Sequence, residues 1–385
     1  MNLILLLKPI ADMLFEYQVL DIILVLGVII VTLSRIKSTK MRWALLDTII
    51  VILGFLFFLS YLRDTNGVNT FVKIESGFLL YFAGRMTYSK AIKNQKYLMW
   101  GFLIVLLITA FSFINKSGFI VWGRVNTFRG YYFFKTDLAA AMAQLFAIFA
   151  IIKKRSYINY AILGITSYFV FISNARMYYF VIVILVLFFF LYLREEIYQV
   201  RLRINTKLML LGIAVLIGML FGLNYLNQML GEEYLLIEFQ SSSDLVGNAN
   251  TQGRSVAWEN ILEHFFNQPF WDRFWGLDLI SDEKVGIICN SHNLYIKILY
   301  STGYLGCSIF ILYIIRIIQA INNTQSAELY YLTLSFFAIY ILSGISYITI
   351  ESTQLTWLFM YYIGACQSEG QFKQPSKPLI QVIQR

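Results

Sequence analysis

Apolar residues recur along this chain in runs of 15–20, each bounded by a basic or polar cluster. An α-helix rises about 1.5 Å per residue, so a run of that length matches the hydrocarbon thickness of a bilayer. The pattern predicts spans over residues 18–34, 43–62, 71–89, 97–114, 136–152, 157–173, 177–193, 207–226, 304–321, 328–348 and 353–367. Residues 2–16 are apolar as well, but Lys8, Pro9 and Asp12 interrupt them. That segment predicts a half-helix, an interfacial helix or the stub of a twelfth span. The predicted class is all-α: a polytopic transmembrane bundle of 11–12 spans with one large, partly helical extracytoplasmic loop.

Four sections follow from this pattern. Residues 1–226 hold the first eight spans and a medium outer loop at 115–135; residues 227–303 form the large loop; residues 304–367 hold the last three spans; residues 368–385 form a tail. Within the large loop, Trp258, Ile261, Leu262 and Phe265 recur at i, i+3, i+4 and i+7, one apolar stripe on a short helix. Ser291 or Asn293 is placed to cap a further helix through Tyr300, with Gly303 and Gly306 marking the turn into the next span.

Charge gives the orientation. Every second connection is basic: Arg35, Lys37, Lys40 and Arg42; Lys90, Lys93 and Lys96; Lys153, Lys154 and Arg155; Arg194, Arg201, Arg203 and Lys207. Basic loops stay in the cytoplasm, and the tail with Lys373, Lys377 and Arg385 falls on the same side. The chain of 385 residues is 58% apolar and only 14% charged, too few charges to cover a water-soluble globule. Its three cysteines form no CxxC pair, and no metal or nucleotide motif occurs. No basic segment followed by a small-residue cleavage site opens the chain, so no signal peptide is predicted.

Few ionisable residues fall inside the spans. Asp47, Arg85 and Arg316 sit near the cytoplasmic edge, where they are expected to snorkel. Lys73 and Glu75, in the outer third of their span, read first as a plain ion pair and second as lining of an acceptor cavity. No proline breaks any of the eleven spans, which disfavours the discontinuous helices of ion-coupled transporters. The outer face instead collects cations: Lys116, Arg124, Arg129 and Lys135 on the medium loop, Arg176 at the start of a span, and Arg254 and His292 at two points of the long loop. Arginine's planar fork suits phosphate, so a lipid-linked phosphate or pyrophosphate is the expected ligand.

The segments GRSVAWENILEHFFNQPFWDRFWG and NSHNLYIKILYSTGYLG resemble the shared domain of bacterial O-antigen ligases and polysaccharide repeat-unit polymerases. Gly253-Arg254, Trp258, Pro269, Gly276, His292-Asn293, Gly303 and Gly306 fill that family's pattern in order, and SNARMYYF and RGYYFFKTDLA fit two upstream pieces. Ala175 and Asp137 stand where the family often has Ser and Asn. The resemblance implies transfer of a glycan from undecaprenyl pyrophosphate to an acceptor hydroxyl at the outer face of the plasma membrane, without metal or other cofactor. It implies Arg176 and Arg254 as pyrophosphate ligands and His292 as the group that deprotonates or orients the acceptor. Arg129 or Arg124 is the third cation, Asn293 caps the following helix and orients His292, and Trp258 contacts glycan only after its role in packing. Membrane lipids, a flippase and chain-length regulators are the implied partners, and nucleic acid is not among them. A repeat-unit polymerase is the favoured activity, the ligase is the alternative, and a lipid-linked oligosaccharide flippase is the rival from another class.

Plainer readings stand beside these. Arg254 can pair with an acid of its own loop such as Glu259, Arg176 can snorkel, and Lys116 and Lys135 can touch lipid headgroups. His264 is expected only to keep the loop soluble.

Overall fold

The computed structural model describes residues 1–14, 18–36, 41–122, 125–151, 157–199, 201, 254–280, 285–286 and 292–372. The predicted span at 207–226, Gly253, Arg124, Cys289 and the tail from Lys373 onward lie outside the described residues. Each predicted span other than 207–226 contains a helix. In chain order the helices are α1 (Asn2–Met13), α2 (Gln18–Ile36), α3 (Leu45–Arg63), α4 (Val68–Thr87), α5 (Ala91–Ile114), α6 (Lys135–Ala150), α7 (Tyr157–Ile172) and α8 (Arg176–Tyr198). After these come α9 (Arg254–Phe266), α10 (Phe270–Trp275), α11 (Leu294–Asn322), α12 (Ala327–Ser343) and α13 (Thr353–Phe372). Among the described residues, four helical stretches are long and apolar enough to cross a membrane: Leu45–Arg63, Thr65–Ile114, Arg176–Tyr198 and Leu294–Asn322.

One element departs from the all-α expectation. Between α5 and α6, β1 (Phe119–Trp122) and β2 (Val125–Phe128) pair antiparallel with Phe119 opposite Phe128. The run FIVW is β-branched and aromatic, and α5 has already ended, so a short hairpin satisfies the backbone there.

α13 is, with α4, one of the two least apolar of the long helices, yet Leu355 to Cys366 is almost wholly buried. It crosses α4 in close backbone contact. A Cβ at Gly84 would collide with the Tyr361 carbonyl oxygen, and one at Gly364 with that of Tyr81. Small residues at a crossing let two backbones touch and make many dispersion contacts.

Polar contacts collect at the two ends of the helices. At one end Arg85 pairs with Asp47, both side chains fully buried, and also donates to Ser368 Oγ (2.9 Å), Gln371 Oε1 (2.7 Å) and the Arg42 carbonyl (2.7 Å). Arg201 there pairs with Glu195 (2.7 Å) and donates to the Thr324 carbonyl (2.6 Å). Asp47 and Arg85 therefore do not snorkel; each is the other's partner inside the protein, because α3, α4 and α13 close over them. The opposite end gathers the N-termini of α6, α11 and α13 and the C-terminus of α12, and carries the candidate site.

Candidate functional site

The site begins at the start of α11. Asn293 caps the helix as expected: Oδ1 accepts from the backbone N–H groups of Tyr295 (2.9 Å) and Ile296 (3.1 Å). Its Nδ2 donates to the Ile345 carbonyl (3.2 Å), and Leu294 N–H donates to the Gly344 carbonyl (2.8 Å). These bonds weld the α11 terminus to the turn after α12. His292 precedes the cap in the left-handed region, at φ 47°, and is half-buried. Its ring lies nearly parallel to Tyr347, with centroids 6.4 Å apart and 26° between planes.

Beneath His292 is a floor of acids and amides. Tyr347 Oη donates to Asp137 Oδ1 (3.4 Å), and Asp137 Oδ2 accepts from Phe134 N–H (3.3 Å) to cap α6. Gln354 Nε2 donates to the Asp137 carbonyl (2.9 Å), and Gln144 Nε2 donates to the Gln354 carbonyl (2.9 Å). Alongside, Lys8 pairs with Asp12 and Asp21 (3.3 Å for the latter), donates to Thr353 Oγ1 (2.9 Å) and stands 4.6 Å over the Trp357 ring. Lys297 pairs with Glu351 (2.9 Å) and donates to the Leu279 carbonyl. Both lysines are buried. Sequence reasoning took Lys8 and Asp12 only as interruptions and passed over Lys297 and Glu351. The available signal was the i, i+4 spacing of Lys8 and Asp12 on an otherwise apolar helix, which puts both on one face.

Two of the predicted cations, Arg129 and Arg176, belong to segments that reach this floor. Arg129 leaves β2 with its Nη1 donating to the Phe133 carbonyl (2.7 Å), while its Nε is buried with no hydrogen-bond partner among the described residues. Tyr132, three residues on, is buried within electrostatic reach of Asp12 and Asp137. Arg176 is the first residue of α8 and is half-buried. Before it, Asn174 takes φ 51° and Ala175 N–H donates to Ser173 Oγ (3.3 Å), so the SNAR segment makes a tight turn. Tyr178, half a turn into α8, sits within electrostatic reach of Asp137 and Tyr347, which brings the α8 terminus to the site end. Arg254 opens α9, and its side chain lies outside the described residues.

The predicted stripe on α9 divides. Ile261 and Phe265 are fully buried against Tyr300, whereas Trp258 and Leu262 are only half-buried. His264 is no mere solubilising residue: its Nδ1 is 3.1 Å from Tyr300 Oη and the rings stack at 5.8 Å. α9 packs on α11, and its apolar side needs that cover, which fixes His264 beside Tyr300.

Glu75 differs from the expected plain pair. It packs opposite Gly54, the middle residue of α3, and its Oε1 is buried with no hydrogen-bond partner among the described residues. It lines a cavity of ≈ 430 Å³ between α3 and α4 together with Ile50, Phe55, Phe58 and Phe78. Among the described residues, no group of three or more His, Cys, Asp and Glu is placed to hold a metal ion.

The arrangement combines an imidazole on a rigid polar floor with two arginines at the same end of the helices. Guanidinium groups stabilise an anionic leaving group, and an imidazole exchanges a proton with an attacking hydroxyl. Comparison with family models and with curated proteins finds no match.

Proposed function

We propose that the chain is a polytopic membrane glycosyltransferase that joins undecaprenyl-pyrophosphate-linked repeat units into O-antigen or capsular polysaccharide. The observation that carries this reading is the attachment of His292 to a fixed platform of Asn293, Tyr347 and Asp137, at the helix end where Arg129 and Arg176 also arrive. In this reading the spans number eleven or twelve, the chain resides in the bacterial plasma membrane, and the site end faces outward. The basic residues Lys90, Lys93, Lys96, Arg194 and Arg201 support that orientation, because they belong to the opposite end of α4, α5 and α8.

The chemistry follows from the groups. The acceptor hydroxyl attacks the anomeric carbon, and the bond from that carbon to the pyrophosphate oxygen breaks. Negative charge grows on the departing pyrophosphate, where Arg176, Arg254 and Arg129 stabilise it. His292 takes the proton of the attacking hydroxyl. Flippase and chain-length proteins are the partners of such an enzyme.

Deletion of the gene, with the surface glycan then run on a gel, tests the reading. A polymerase leaves single repeat units on the acceptor. Long chains accumulating on the polyprenyl carrier identify a ligase, and repeats trapped at the inner leaflet identify a flippase. His292→Ala, Arg176→Ala and Arg254→Ala are each expected to abolish chain growth at normal membrane levels. Full activity in all three overturns the site assignment.

A further inference from the structure

α10 is a six-residue helix, FWDRFW, of which four residues are aromatic. Phe270, Trp271 and Trp275 are 54%, 67% and 41% exposed, and Phe266 beside them is 51% exposed. Their rings form one continuous surface: Phe270 meets Trp271 at 5.4 Å, Trp271 meets Phe274 at 5.9 Å, and Phe274 meets Trp275 at 5.3 Å. Water is a poor solvent for so much grouped aromatic area, and no other part of the described chain covers it.

The backbone fixes the height of this surface. Ser60 Oγ, in the last turn of α3, donates to the Leu277 carbonyl (3.2 Å), and Leu277 N–H donates to the Tyr300 carbonyl (2.7 Å). Gly276 and Gly303, at φ 87° and 65°, bring α10 against α11 so closely that a Cβ at either collides with backbone. α10 is thus tied through Leu277 to the last turn of α3, a helix long and apolar enough to cross a membrane, on which Leu62 is 55% exposed. Tryptophan and other aromatic rings collect at that depth, where the body of the ring leaves water and its edge stays near headgroups.

Arg273 belongs to the same short helix as these rings. Its side chain makes no hydrogen bond or ion pair with any described residue, and its Nε is buried. A guanidinium on an aromatic helix at headgroup depth, without a partner among the described residues, matches the phosphate of a phospholipid.

We propose that α10 is a phospholipid-binding anchor, with Phe270, Trp271 and Trp275 seated in the outer leaflet and Arg273 on a headgroup phosphate. The anchor is separate from the His292 platform and does not depend on the enzymatic reading. Spin labels at Trp271→Cys and, in a second variant, Phe270→Cys, on a full-length chain with its three cysteines replaced by serine, report the depth. In phosphatidylcholine vesicles both labels should be reached by oxygen and shielded from a water-soluble nickel chelate, as a Leu62→Cys control on α3 should be. Ready access of the chelate to both α10 labels, with the control shielded, overturns the proposal. So does shielding that appears only when soluble oligosaccharide is added, since the surface is then a glycan platform. For the phosphate contact, binding of phosphatidylglycerol to delipidated protein should weaken about tenfold in Arg273→Gln and much less in Arg273→Lys. Equal binding by Arg273→Gln and the unaltered chain overturns the assignment of Arg273.

Discussion

Tyr347 Oη lies 3.4 Å from Asp137 Oδ1, joining the turn after α12 to the first turn of α6, and the opposite side of this tie is the His292 ring. A net hydrogen bond contributes about 0.5–1.5 kcal/mol, so Tyr347→Phe, which keeps the ring under His292, should slow the proposed chain growth about two- to tenfold. Tyr347→Ala, which removes the ring as well, should slow it further. Glycan chain growth in isolated membranes measures both; equal rates for Tyr347→Ala and the unaltered protein would rule out a role for the platform.

Asp47 and Arg85 form a fully buried pair. Removing one partner strands the other charge, at a cost of about 3–5 kcal/mol, whereas replacing both by apolar residues of similar volume is far milder. Asp47→Leu alone should lower the thermal unfolding midpoint in detergent more than the double variant Asp47→Leu with Arg85→Met. A double variant less stable than either single one contradicts this.

Gly84 and Gly364 set the α4–α13 crossing. Each lacks room for a methyl group against carbonyl oxygen, so Gly84→Ala and Gly364→Ala should each destabilise by about 1–3 kcal/mol or more. Cys366 is fully buried on α13 and supplies the readout. Its alkylation by a thiol reagent should begin at lower denaturant concentration in both variants, and an unchanged profile would show that the crossing relaxes freely.

Glu75 places a carboxyl group in an apolar cavity with no hydrogen-bond partner at Oε1 among the described residues. Glu75→Gln and Glu75→Leu remove a group that is costly to bury, and Glu75→Leu should stabilise the fold by about 1–3 kcal/mol. Thermal unfolding of the purified chain is the measurement. A loss of stability in both variants would mean that the carboxyl has a partner essential to packing.

Period and composition were sufficient for the helices. The apolar runs predict α2 through α8, α12, α13 and the part of α11 beyond its break at Gly303 to within about six residues, because each must bury or expose a continuous apolar surface and each connection carries its own polar signal. The Asn293 cap was legible for the same reason: capping is a matter of three or four consecutive residues. The β1–β2 hairpin was not, since FIVW and VNTF are too short for a period to declare itself.

What the sequence determined alone was therefore local: where helices lie, where they stop, and that cations gather on one set of connections. Pairing across the chain needed the tertiary structure. Lys8 finds Thr353, Asp137 finds Tyr347, Lys297 finds Glu351 and Asp47 finds Arg85, over separations from 38 to 345 residues. A buried charge must be compensated within a few ångströms, but nothing in the spacing of distant residues along a chain says which helix will supply its partner. Packing alone decides that, through close approaches such as Gly84 on Tyr361 and Gly276 on Ser301.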